Sequence, residues 1–145
     1  MSFTAVQSDI VAILQAAMPS PVKVLVSEDL AAVEERSQYT PAVHVVYGGY
    51  TVSQNSGTGE QAQVTYSFDI VGVARSGVDR GLPATATATA GDLCLTAIRN
   101  LMGKNLPSAM RATPVRIASS ARPVVSAGFV YVPASVEVEA IISSV

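Results

Sequence analysis

YTPAVHVVYGGYTV, residues 39–52, holds the chain's single histidine, three of its five tyrosines and a Gly-Gly pair. Pro41 opens a run from Ala42 to Tyr47 that is dense in β-branched and aromatic residues. Such side chains pack well on a pleated surface, so the run is read as a strand. Alternation then predicts Val43, Val45 and Tyr47 on one face and Ala42, His44 and Val46 on the other. A strand here makes the fold a sheet protein. A reactive His44 would make the function catalysis.

Upstream, Phe3, Val6, Ile10, Ile13, Leu14 and Ala17 recur at three and four, the pattern of a helix with one apolar face. Thr4 and Gln7 fit a capping box at its start. Met18-Pro19-Ser20-Pro21 stops it, because proline supplies no donor and restrains the residue before it. VKVLV (Val22 to Val26) is a short strand, and Ser27, Glu28 and Asp29 suit the first turn of a short helix. With one lysine and one histidine between them, VKVLV and PAVHVVY are expected to be weakly guarded sheet edges.

Downstream, Ser53, Gln54, Asn55, Ser56, Gly57, Thr58, Gly59, Glu60 and Gln61 include no apolar residue and read as a long mobile hairpin loop, expected at an interface. Val64, Tyr66, Phe68 and Ile70 alternate with Thr65, Ser67 and Asp69 in a long strand reaching Arg75. SGVDRGLP is a second loop. The ATATATAG tract (Ala84 to Gly91) alternates like a strand but leads into a helical stripe of Ala90, Cys94, Ala97, Ile98 and Leu101, so one helix is predicted from about Ala84 or later to Met102, capped by Gly103. The chain closes with two strands around Ser126 to Gly128. The second places Val136, Val138, Ala140 and Ile142 on one face and Glu137 and Glu139 on the other. The expectation is an α+β fold: a mixed or antiparallel sheet of about four to five strands, two main helices packed on one face, and a C-terminal hairpin.

At 145 residues, with no repeat and no linker, the chain is expected to be one domain, 1–145. Charged residues are only 14%, low for a free-standing soluble chain, which points to surface covered by other copies or other proteins. A net charge of −2 with scattered basic residues gives no footprint for sequence-specific nucleic-acid binding. One cysteine rules out an internal disulfide framework and suits a reducing cytoplasm. Neither a signal peptide nor a membrane span is expected.

Nucleophilic catalysis needs a histidine oriented by an acid and within reach of a nucleophile, and only His44 is available, without a GxSxG elbow or a cysteine signature. A strand histidine without catalytic duty is the better reading. Cys94 lies on the apolar stripe of a helix, where a thiol behaves as a small hydrophobe. One histidine and one cysteine fall short of a zinc site, so no metal or cofactor is expected. Glu137 and Glu139 are neighbouring carboxylates, as a glycosidase or cation site would need, but a solvated or interface strand face gives the same spacing. SGTGE lacks the lysine and following helix of a phosphate-binding loop.

The succession FTAVQSDIVAILQAAMP, VKVLV, PAVHVVYGGY, QVTYSFDIVGVARSG, LCLTAIRNLMGKNLP and FVYVPASVEVEAI covers nearly the whole chain. In that order it resembles the tail terminator (tail completion) proteins of tailed bacteriophages, particularly those of Mu-like phages. The Ala84–Gly91 tract departs from the family, whose helix follows its long strand more directly. The resemblance implies a structural role and no enzymatic one. The protein is expected to form a hexameric ring of its own copies on the tail tube protein, at the tail–neck junction of the virion. There it stops tube polymerisation and meets a head-completion or neck protein, with DNA passing through the lumen. Assembly is expected in the bacterial host cytoplasm. Two alternatives stay open: a head-completion or neck protein of the same particle, and a small enzyme with a pocket gathering His44 with Glu137 or Asp69.

Overall fold

The strand that alternates most cleanly sits at the centre of the sheet. The computed structural model describes residues 3–19, 22–27, 41–75, 83–106, 113–126 and 128–143. Its elements in chain order are α1 (Phe3–Ala17), β1 (Lys23–Ser27), β2 (Ala42–Asn55), β3 (Gln61–Arg75), α2 (Pro83–Leu101), β4 (Arg116–Ser120), β5 (Val124–Ser126) and β6 (Phe129–Ser143). They form a mixed six-stranded sheet of order β1-β2-β3-β6-β4, with β5 paired to β6 beside β4. Only β1 and β2 run parallel; all other pairs are antiparallel. The α+β class and the C-terminal hairpin are as the sequence predicts.

Both helices cover one face. Val6, Ile10, Leu14 and Met18 of the α1 side and Cys94, Ala97, Ile98 and Leu101 of α2 pack on Val43, Val45, Phe68, Ile70, Val136 and Val138. Phe68 pairs with Tyr47 on one side and Val136 on the other, so one pleat row crosses three strands and lands in the core. The small residues of α2 allow a close approach to β3. A side chain at Gly72 would run into the backbone oxygen of Ala90 and come within 2.9 Å of the Cys94 nitrogen. Gly72 is therefore fixed by packing.

Several expectations are corrected. Thr4 and Gln7 do not form a capping box: Thr4 is already helical, and the buried Gln7 amide donates to Val45 O at 3.2 Å, tying α1 to the sheet. PAVHVVY is not an edge, because β1 covers β2 from Ala42 to Val46 on its outer side. The long strand begins at Gln61 and its partner reaches Asn55, so Ser53, Gln54, Asn55 and Gln61 belong to strands and the expected nine-residue loop shrinks to a turn of five residues, Ser56 to Glu60. The helix includes the whole Ala-Thr tract from Pro83, and Gly103 follows it with φ 77° as the cap needs. The short β4 carries no alternating signal and was not foreseen. The helix expected after Ser27 and the loop expected before Pro83 lie outside the described residues. No described helix is long and apolar enough to cross a membrane.

Candidate functional site

The Gly-Gly pair of the opening stretch sets the geometry of everything beyond it. The pairing of β2 with β3 slips between Tyr47 and Gly49, and Gly49 has φ 94°, a conformation glycine adopts without strain. The extra residue shifts the alternation, so Tyr50 and Val52 return to the face already held by Val43, Val45 and Tyr47. An aromatic row results: Phe68 lies 5.5 Å from Tyr47, and Tyr66 lies 6.4 Å from Tyr47 and 6.0 Å from Tyr50. Burial pushes the Tyr47 and Tyr66 phenols up, with neighbouring phenols adding to it.

The row leads out of the core. β2 is exposed from Tyr50 on, while Tyr66, Val64 and Ala140 across the ladder stay buried, and past Val52 the ends of β2, β3 and β6 continue together as a three-stranded arm. Residues 51–60 are all exposed, and Tyr50 and Val52 keep 55% and 51% of their surface in solvent. Of the residues singled out from the sequence, Ser53, Gln54 and Asn55 are strand, Ser56 to Glu60 form the turn at the arm's tip, and Gln61 starts the return. The turn is tight: Gln61 O accepts from Ser56 N at 2.9 Å, and Ser56 O accepts from Gly59 N at 3.0 Å. Polar residues make strand here because backbone pairing needs no apolar face when both faces meet water.

Glu137 and Glu139 lie on the opposite, polar face of the sheet, level with Ser67 and Thr65. They are not an open acidic pair. Arg116 of β4 donates from Nε to Glu137 Oε1 and from Nη2 to Glu139 Oε1, each at 2.8 Å, and Gln63 donates to Glu139 Oε2 at 3.2 Å. The guanidinium holds the Glu139 carboxyl below the usual range, and the hydrogen bonds to Glu139 and then Glu137 in turn push the Arg116 guanidinium up. Sequence reasoning missed Arg116, because the strand that carries it gives no periodic signal.

His44 is fully buried, with Nδ1 2.7 Å from Ser27 Oγ. Asp69 accepts from Ser135 Oγ at 2.6 Å. The carboxylates proposed to join His44 in a pocket thus hold other partners. Cys94 is 3% exposed, its thiol donates to Ile70 O at 3.4 Å, and burial pushes its pKa up against a weaker backbone contact at Gly72. Among the described residues, no group of three or more His, Cys, Asp and Glu comes together. The arrangement offers surfaces: an exposed arm and, across the sheet, the short strand β4.

A groove runs between β4 and α2. Leu95, Ile98, Ile117, Val132 and Ala134 are among its lining, and its volume is about 270 Å³. Leu95 and Ile117 are 54% and 48% exposed within it.

A family model described as phage tail terminator protein matches residues 1–144. The match is to the family as a whole and does not distinguish a Mu-like type. Among solved structures, the fold is similar to that of a chain in the virion of a native gene transfer agent particle. That likeness has 17% identity, covers 97% of this chain and 91% of the other, and has a TM-score of 0.52. No curated protein sequence matches the chain.

Proposed function

The chain belongs to the phage tail terminator protein family, and from that premise we propose that it caps the tail tube as a ring, most simply a hexamer, and ends tube polymerisation. The family is a structural one and not an enzyme family, so the protein is a structural component of a phage tail. The observation that carries the reading is the extent of the match, residues 1–144, together with a chain of the same fold resident in a virion. In this reading the 145 residues are one terminator domain, assembled in the host cytoplasm and placed at the tail–neck junction.

The arm supports it. Ser53 to Gln61 stands clear of the core, where it can meet the tail tube protein or the next subunit, while the polar face with Glu137 and Glu139 offers a second surface for the ring or the neck. The low charge suits a surface covered by partners. Electron microscopy of tails assembled with and without the protein tests this. Tails of uniform length, bearing ring density at one end only when the protein is present, are the expected result. Tails indifferent to it in length and end structure would overturn the reading.

A further inference from the structure

The sheet face turned away from the helices holds a pocket around Asp69, and we propose that it receives a basic side chain, arginine or lysine, presented by a different protein of the particle. The inference rests on the reading above only for the source of that side chain. The pocket's chemistry stands without it.

Alternation builds the pocket. Asp69 lies between Val46 of β2 and Ser135 of β6 in one pleat row. Two residues along β3, Val71 sits beside Pro133, and one row further Tyr131 sits beside Val124 of β5. Phe68 and Ile70 point into the core, so their odd-numbered neighbours point to the other side. Among the described residues, this set lines a cavity of about 330 Å³, close to the lower end of the roughly 300–1,000 Å³ of ligand pockets. The room suits one long side chain.

The lining has two parts. Val46, Val71 and Tyr131 are buried, and with Pro133 and the exposed Val124 they make the walls apolar. Asp69 stands at one end, half-buried. Ser135 Oγ donates to Asp69 Oδ1 at 2.6 Å, which fixes the carboxylate across the ladder and leaves Oδ2 to accept from elsewhere. Among the described residues no lysine or arginine pairs with it. Arg116, one row nearer the arm on the same face, gives Nε to Glu137 and Nη2 to Glu139.

A partly desolvated carboxylate gains most from a cation that brings its own N–H donors. The apolar walls select a cation on a methylene stem, because lysine and arginine lay the stem on apolar surface and carry the charge at its tip. A divalent cation finds one carboxylate here, too few for the oxygen shell it needs.

Charge complementarity says which protein supplies the stem. Beside the pocket, the rows of β3, β6 and β4 carry Asp69, Glu137 and Glu139 against Arg116, and the whole chain has a net charge of −2. This face therefore favours a basic surface. A second copy brings the same acidic excess and is the poorer source. One such pair adds register and specificity more than affinity, as suits a partner already held by wider contacts.

The test is an NMR titration of the isotope-labelled chain at low salt. The probes are N-acetyl-arginine methylamide, its lysine counterpart and its citrulline counterpart, which keeps the shape of arginine without the charge. The two basic probes are expected to shift the amides of Asp69, Val71 and Ser135 saturably, and the citrulline probe to bind about tenfold more weakly or worse. Asp69→Asn keeps an oxygen for Ser135 and should weaken the arginine probe by a similar factor. Val124→Lys, at an exposed position on the wall, should do the same by placing the chain's own ammonium at the mouth, and it serves where Asp69→Asn fails to fold. Equal binding of citrulline, unchanged binding to either folded variant, or shifts spread over all surface carboxylates overturn the pocket. Self-association of the natural chain that the variants abolish makes a second copy the occupant and overturns the assignment to a different protein. Tail capping is scored separately. Normal capping by a chain that binds no probe removes the pocket and leaves the terminator reading standing, whereas uncapped tails with probe binding intact do the reverse.

Discussion

Along β3, Phe68 and Ile70 are fully buried beneath the helices. A few residues earlier the same alternation reaches the arm, where Tyr50 and Val52 across the ladder and Ile142 of β6 keep 55%, 51% and 37% of their surface in water. All of them project from one face of one continuous sheet. The two halves differ in what lies above: Phe68, Ile70 and, next to the arm, Tyr66, Val64 and Ala140 belong to the core cluster that holds the α1 and α2 side chains, whereas Tyr50, Val52 and Ile142 lie outside it. Periodicity therefore chooses the face of a side chain, and the covering layer decides its free energy. A buried Phe stabilises the fold by roughly 1.5–3 kcal/mol, whereas an exposed Val contributes when a partner arrives. Stability and assembly are carried by different stretches of the same strands.

The strongest attack on that comparison is truncation in each half. Phe68→Ala is expected to lower the unfolding free energy by about 3–5 kcal/mol, through lost burial and the cavity left between Tyr47 and Val136. Val52→Ala is expected to stay within about 0.5 kcal/mol. Urea unfolding of the two variants measures both. A Val52→Ala cost comparable to that of Phe68→Ala would make the arm part of the core.

Glycine gives a second pair. An added methyl at Gly72 meets the backbone of Ala90 and Cys94, neither of which can rotate away, while nothing lies within 4 Å of one at Gly57 in the arm's turn. Gly72→Ala is expected to cost about 1–3 kcal/mol, and Gly57→Ala about nothing. Because the strain lifts α2 from β3, Cys94 should also react faster with a thiol reagent in Gly72→Ala than in the natural chain. Unchanged Cys94 labelling would mean the helix absorbs the methyl without moving.

What the sequence disclosed follows the same division. Wherever a helix covers the sheet, burial imposes a period, and the period is readable: Val64 to Ile70, Val136 to Ala140 and the stripe from Ala90 to Leu101 fall where alternation and helical spacing put them. Where no layer covers it, the pattern vanishes although the strand does not. Gln54 and Asn55 pair in the ladder, with Ser53 at a bulge before them, and RIASS closes the sheet, yet both look like loop because backbone hydrogen bonds leave no mark on side-chain choice. Arg116 was invisible for that reason. The burial of His44 beside Ser27 was hidden too, since parallel pairing of β1 with β2 depends on a connection that local pattern does not report.

The smallest effect tests the seam between the halves. Arg116 reaches from the edge strand to Glu137 and Glu139, and its hydrogen bond to Glu139 is the main cause of that carboxyl's lowered pKa. A carboxyl whose folded pKa lies below its unfolded one releases its proton more readily when folded, so its contribution is complete at neutral pH. It is lost as pH falls through the acid range below the ordinary carboxylate value. Arg116→Ala should therefore melt slightly below the natural chain at neutral pH, with the two curves converging in acid. The groups are exposed, so the gap should also shrink as salt screens it. Thermal melts at neutral and acid pH, each at low and high salt, decide the matter. A gap that survives acid and salt would show that Arg116 holds β4 by packing its stem on β6 and not by charge. The edge would then owe its shape to the covered half of the sheet and not to the polar face.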